Sequence, residues 1–260
     1  MLSFKAFIAT IKIHMGQSFS RATFRFCVIF QPIIYSFIFY MMYKNSKHIN
    51  YVNYVVLGSG ITTLWSTICF SSAGDIERER YMGTLENIFC APIRFMNIIL
   101  AKVVANTIMG LGGLVISTAF IKVFFNGNFY IADLPMFILS FLLMVFSFIC
   151  ISMMIAPIFT ISRSARTLMN CMEAPIFILC GMVAPVSMLP NWIRPLSYIL
   201  SPTFAVELMR KTSIGNFNMK DIRNMILMLI VLSLIYIVVA NFMFKKVDKL
   251  TRIKGTLGAQ

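Results

Sequence analysis

DIERERYMGTLENIFCAP, residues 75 to 92, is a polar stretch set between two long apolar segments. A charge at the centre of a bilayer costs roughly 2.5 to 3.5 kcal/mol on insertion scales, so Glu77, Arg78, Glu79 and Arg80 place this island in water. Its second half differs in character. Leu85, Ile88, Phe89 and Ile93 recur at helical spacing, an apolar stripe on a short helix that Pro92 limits. A charged lead-in followed by a one-sided apolar helix suits docking against another protein.

Working outward, apolar residues occupy 59% of the 260 positions and charged residues 12%, with a mean hydropathy of +0.83. An ordinary soluble domain does not reach these values, so the chain reads as an integral membrane protein. The formal charge of +14 does not point to nucleic acid, because the basic residues lie in short runs beside apolar spans without the repeated basic and aromatic surface that strand binding uses. Anionic lipid headgroups are the natural counter-charge.

Apolar runs of about 20 residues, enough to cross a hydrocarbon core of about 30 Å as helix, fall at 24–43, 52–73, 98–120, 134–159, 171–189 and 225–244. Six spans put both termini on one side. Fifteen of the 23 Lys and Arg residues fall on the side of the termini and the island, which predicts that side to be cytoplasmic. Phe4, Phe7, Ile8, Ile11 and Met15 share a helical face flanked by Lys5 and Lys12, with neither a continuous apolar core nor a small-residue cleavage site of a signal peptide. An interfacial amphipathic helix over 1–23 fits this pattern; a simple extension of the first span is the alternative. The predicted fold class is therefore an all-α polytopic membrane protein with six transmembrane helices. The organisation is a single transmembrane domain, 1–260, with the interfacial helix at 1–23, a cytoplasmic coupling segment at 74–96, a re-entrant region at 185–206 and a cytoplasmic tail at 245–260.

Chemistry is sparse. Cys27, Cys69, Cys150, Cys171 and Cys180 lie in or beside spans and Cys90 on the island, there is no CxxC pair, and His14 and His48 are the only histidines. No metal site is predicted, and the cysteines read as small hydrophobes. The sequence holds no GxSxG elbow, HExxH or phosphate-binding GxxxxGK[ST] loop, so no catalytic residues are assigned and any energy for transport must come from another polypeptide. Among intramembrane charges, Lys102 and Lys122 sit toward opposite ends of the third span, where long side chains reach the interface. Glu173 stands near the start of the fifth, where Arg163 or Arg166 can pair with it or a substrate can meet it.

The stretch 174–210, APIFILCGMVAPVSMLPNWIRPLSYILSPTFAVELMR, cannot be one straight helix, because Pro185, Pro190, Pro195 and Pro202 each remove a backbone donor. Its residues stay apolar, and non-helical backbone at membrane depth needs cover from protein or a cavity. Short re-entrant helices dipping from the outer face fit, with Trp192 and Tyr198 at the interface; a short fifth span followed by an amphipathic loop is the alternative. Phe30, Tyr35, Phe177 and Met182 are candidate pathway residues, soft aromatic and thioether surface that accepts amphipathic molecules. Gly58, Gly60, Gly110, Gly112 and Gly113 suit close helix approach.

The run ERER, then GTLE, then AP continuing into Lys102 resembles the cytoplasmic signature of ABC type-2 exporter permeases, and GMVAPVSMLPNWIRPLSYILSPTFAVELMR looks like the same family's fifth-span and re-entrant region. Tyr81 and Met82 stand where relatives commonly carry charges, and Ser201 stands where Asn usually precedes the proline. The resemblance implies two six-span protomers, homo- or heterodimeric, enclosing a pathway in a bacterial-type cytoplasmic (inner) membrane. It implies a separate ABC ATPase subunit beneath each, holding ATP and Mg, with no cofactor in this chain. Leu85, Ile88 and Phe89 would then enter an ATPase groove, Glu77, Glu79 and Glu86 would make polar contacts, and Gly83 would turn the chain beside Thr84. The cargo implied is a hydrophobic or amphipathic compound in the drug or lipid/polysaccharide export branch. A lipid-linked polysaccharide permease, a non-transporting membrane scaffold and a polytopic membrane enzyme are the alternatives.

Overall fold

The computed structural model describes residues 4–45, 51–85, 88, 93–162, 164–215 and 217–254, with the side chains of 70–73, 165, 166 and 250–254 outside the description. Nine α-helices are delimited among them: α1 Phe4–Ser20, α2 Ala22–Tyr43, α3 Tyr51–Tyr81, α4 Phe95–Phe125, α5 Leu134–Ile161, α6 Ala165–Leu179, α7 Arg194–Ile199, α8 Ser201–Ile214 and α9 Met219–Lys254. A 3₁₀ turn at Val186–Met188 precedes α7, and no strand occurs among the described residues. Five helices, α2, α3, α4, α5 and α9, are long and apolar enough to cross a membrane.

Helix α3 is the axis of the bundle. It packs against α4, α2, α6, α5 and α8, and every residue from Val55 to Cys69 is buried. A helix enclosed on all sides must be slim, and GSGITTLWST supplies that. The hydroxyls of Ser59, Thr62, Thr63 and Thr67 donate to carbonyls one turn back (2.6 to 2.8 Å), so these polar groups are satisfied within the helix itself. Trp65 is fully buried against Phe148 of α5, their rings 5.8 Å apart. The crossing with α4 is close because three glycines face it. A Cβ on Gly60 would lie 3.0 Å from the Leu114 backbone, one on Gly110 3.3 Å from the Leu64 backbone, and one on Gly113 2.8 Å from Thr63. Gly58 meets Phe39 and the Met182 carbonyl instead, and Gly112 has nothing within 4 Å. At 31 residues, α3 is about 46 Å long, well beyond a hydrocarbon core of about 30 Å. Part of it must therefore extend past that core, and the charged run lies in its last turns.

The predicted fifth span, 171–189, takes a different form. Helix α6 starts at Ala165 and stops at Leu179, 15 residues in all, about 22 Å and too short for a full crossing. The reason is local: Gly181 adopts φ +71°, a conformation that ends helices, and Pro185 follows. The peptide carbonyls released by the break are met by side chains from elsewhere. Arg210 of α8 donates to the Met182 carbonyl (2.8 Å), Tyr43 at the end of α2 donates to that of Val183 (2.8 Å), and Arg194 donates to those of Leu189 (2.9 Å) and Ser187 (2.6 Å). Arg210 is itself buried, its guanidinium 5.1 Å from the Tyr54 ring centre. The α7–α8 junction is fastened from α5 and α9. The Ser201 hydroxyl meets that of Ser147 at 2.8 Å, and Tyr236 accepts from the Ser201 N–H while donating to the Ile199 carbonyl.

The glycine contacts carry a direct expectation. Overpacking a tight contact costs about 1 to 3 kcal/mol, so Gly60→Ala should lower the thermal midpoint of the purified protein, whereas Gly112→Ala, with open space around it, should leave the midpoint unchanged or raise it.

Candidate functional site

Three charged residues near the end of α3 each engage a different part of the bundle. Asp75, 5% exposed, accepts from Arg21 Nη1 at 2.8 Å and lies 3.1 Å from His14 Nε2. His14, buried on the inner face of α1, also lies 3.1 Å from Asn106 Oδ1 of α4. Arg21 occupies the extended residue between α1 and α2 and bonds Ser18 at 2.7 Å. The amphipathic α1 is thus pinned to α3 and α4 by its polar His14 and Ser18, while Phe4 and Ile13 on other faces are exposed. One turn further along α3, Glu79 pairs with Lys102 of α4. Arg80 then donates to the carbonyls of Thr160 (2.6 Å) and Ser162 (2.7 Å), capping the C-terminus of α5, where a cation also opposes the negative end of the helix dipole.

The turn beyond is open to solvent. Gly83 adopts φ +67°, a region glycine enters without steric penalty, and the Thr84 N–H closes the turn on the Glu79 carbonyl at 2.9 Å. Tyr81 is 92% exposed and Met82 57%, and Gly83 and Thr84 are exposed beside them. Leu85 is 1% exposed, inside the main apolar core, with Ile88 packed against that core. Leu85 therefore tethers the turn to this chain's own interior, and among the described residues of the turn the apolar groups presented outward are Tyr81 and Met82. Glu86 and Phe89 lie outside the described residues.

A cavity of about 910 Å³ opens beside this turn, lined by Arg21, by α2 (Phe24, Phe26, Cys27), by α3 (Thr67, Glu77, Arg78, Tyr81) and by Met169 of α6, so that two arginines and one glutamate stand in an otherwise largely apolar wall. One oxygen of Glu77, Oε2, is buried without a hydrogen-bond partner. Next to the lining lies a polar chain, with Gln31 one turn from Cys27, Ser66 beside Thr67 and Glu173 one turn from Met169: Gln31 Nε2 donates to Tyr35 Oη (3.1 Å) and Ser66 Oγ (3.0 Å), and Ser66 Oγ donates to Glu173 Oε1 (2.5 Å). Of the predicted pathway residues, Tyr35 and Phe177 meet edge to face at 6.2 Å, at the upper side of this chain. Phe30 is 53% exposed and stacks on Phe26 on the outward face of α2. Met182 stands apart: it is fully buried and contributes its backbone carbonyl to Arg210.

At the opposite end, Pro185 and Tyr198 line a second cavity of about 340 Å³ with Tyr54, Thr203 and Arg210. Trp192 is 81% exposed, Pro190 and Pro195 are exposed, and Pro202 is buried in the first turn of α8. The sequence reading did not single out His14, Asn106, Gln31, Ser66 or Arg210. A lone His at the end of an apolar helical face and an Arg amid an apolar stretch are the only signals that pointed toward two of them. No cluster of metal-ligating side chains occurs among the described residues.

A family model described as ABC-2 family transporter protein matches residues 42–242, most of the chain. No curated protein matches it.

Removing one partner of a buried ion pair costs about 3 to 5 kcal/mol. Asp75→Ala, which strands Arg21 and His14, should therefore lower the thermal midpoint and expose the segment before residue 22 to limited proteolysis, whereas Lys220→Ala, on an exposed residue of α9, should do neither.

Proposed function

Because the chain belongs to the ABC-2 transporter family, we propose that it forms the translocation pathway of an exporter for hydrophobic or amphipathic compounds and is driven through the turn at residues 81–84. Family membership makes it a multi-pass membrane permease subunit of an ABC transporter, associated with an ABC ATPase subunit. In the finer reading, α6 with the broken segment after it serves as a fifth crossing alongside the five long helices. The island end and both termini face the cytoplasm of a bacterial-type inner membrane, and a second permease protomer completes the pathway. ATP and Mg are held by the ATPase.

One observation carries the coupling proposal: the exposed Tyr81–Thr84 turn ends a helix whose stretch from Val55 to Cys69 is buried throughout. A ligand in one domain shifts another only through a difference in interaction energy between states. Force on this turn reaches α4 through Glu79 and Lys102, α5 through Arg80, and the core through Leu85. Tyr81 and Met82 supply the apolar contact for the ATPase groove, with Glu77 and Thr84 beside it and Ile88 anchoring the segment to the core; Glu86 and Phe89 belong to the same coupling segment by sequence and lie outside the described residues. The largely apolar walls of the 910 Å³ cavity, within the size range of small-molecule sites, support an amphipathic cargo over a lipid-linked glycan.

The double substitution Tyr81→Asp with Met82→Asp should reduce co-purification of the ATPase by about tenfold, the equivalent of about 1.4 kcal/mol, and abolish ATP-driven export while leaving the permease folded. Undiminished ATPase capture and export by this variant would remove the turn from the coupling path. Leu85→Asp is the wrong probe, since it buries a charge in the core and should unfold the chain.

A further inference from the structure

At the end of the bundle away from the island, Arg210 carries a positive charge with no counter-ion among the described residues. It is 6% exposed, takes part in none of the described ion pairs, and keeps its Nε–H buried without an acceptor, although Nη2 donates to the Met182 carbonyl. Of the nine acidic residues in the sequence, only Glu86 lies outside the described residues. Glu86 belongs by sequence to the island that follows the last turn of α3, whereas Arg210 rests on Tyr54 in the first turn of that helix. Glu207, on the same helix as Arg210, is spent on Lys211 at 2.9 Å. All three charges line the cavity of about 340 Å³ with Tyr54, Ser187 and Tyr198, so its wall holds two cations against one carboxylate. A buried charge is costly unless paired, and an anion entering the cavity supplies the pair. The rim is apolar: Tyr198 is exposed, as are Ile199 beside it and Met188 beside Ser187. Because Tyr54 starts a crossing helix, the cavity lies at the end of a span, the level at which amphipathic rings gather. A cationic pocket with an apolar rim at that level suits an amphiphile that places an anionic head inside and leaves its hydrocarbon along the rim.

We propose that this cavity binds the phosphate of an anionic phospholipid headgroup, with Arg210 as its recognition group. The guanidinium donates to a phosphate oxygen, a charge-assisted bond of the stronger kind, and the Lys211 ammonium and Ser187 hydroxyl stand in the same wall to meet the others. With one net positive charge in the lining, a head of one net negative charge balances it, whereas a zwitterionic head brings a cation that Arg210 and Lys211 repel. A free phosphate shares the head's chemistry but leaves the apolar rim unused. The wall is drawn from α3, from the break after α6, from α7 and from α8, so an occupied site braces the broken segment against its neighbours. It stands at the opposite end of α3 from the turn at 81–84 and is independent of the coupling reading.

The test uses the full chain co-purified with its ATPase in dodecyl maltoside, a detergent without phosphate, titrated with dioleoylphosphatidylglycerol or dioleoylphosphatidylcholine and read by native mass spectrometry. Wild type should bind phosphatidylglycerol about fivefold or more tightly than phosphatidylcholine, and Arg210→Gln should abolish that preference. Ser187→Glu, which adds a negative charge on an exposed residue of the wall, should weaken phosphatidylglycerol binding by about fivefold or more and leave phosphatidylcholine binding unchanged. Ser187→Gln, of the same size without the charge, should retain the wild-type affinity. Equal affinity of wild type for the two lipids overturns the assignment, as does a Ser187→Glu variant that keeps the preference or a Ser187→Gln variant that loses it equally. Arg210-dependent binding of inorganic phosphate with no preference for phosphatidylglycerol assigns the cavity to a free anion and overturns the lipid source. Should Arg210→Gln fail to yield monodisperse protein, Ser187→Glu against Ser187→Gln decides.

Discussion

Asp75, Glu79 and Arg80 occupy successive positions on one helix end, and each is held by a different neighbour: the N-terminal helix, α4 and the end of α5. Charges at the edge of a bilayer are tolerable only when paired or wet, and here the pairing converts that requirement into architecture. Remove these contacts and α3, slim and lined with glycine and hydroxyl groups, keeps its packing but loses its fixed relation to the helices around its end. The exposed turn and the cavity beside it, the two features on which the proposed function rests, are positioned by that arrangement.

The opposite end solves a related problem by other means. A helix that stops at Leu179 releases carbonyls that need donors from elsewhere in the chain wherever water does not reach them. Arg194, Arg210 and Tyr43 reach those carbonyls. The break is therefore a built feature with dedicated donors, and Arg210, packed on Tyr54, ties it to the start of α3. One helix thus touches both the proposed force-receiving turn and the broken segment at the far end. Rigid elements of this kind are how a displacement at one site is carried to another.

Much of this was legible in the residues. The long apolar runs announced a multi-pass membrane chain, four prolines announced a broken helix, and Gly60, Gly110 and Gly113 announced the close approach of α3 and α4. Local physics sets each of these, so local sequence reveals them. What stayed hidden were pairings between distant positions. Lys102 looked like a side chain reaching the interface, yet it meets Glu79; Glu173, whose expected partners Arg163 and Arg166 have side chains outside the described residues, accepts from Ser66; Met182 looked like pathway surface, yet it is enclosed. Leu85 shares a helical period with Ile88 and Phe89, but periodicity does not say whether the apolar face turns toward a partner or toward the chain's own core. Only packing decides that.

The account stands or falls on which side of the membrane the island end occupies, because an ATPase can push only on a turn it can reach. Met82→Cys, in a background with the native cysteines replaced by serine, should react with a membrane-impermeant maleimide in inside-out vesicles and stay unlabelled in right-side-out vesicles. Labelling in right-side-out vesicles, with protection in inside-out ones, would contradict the account.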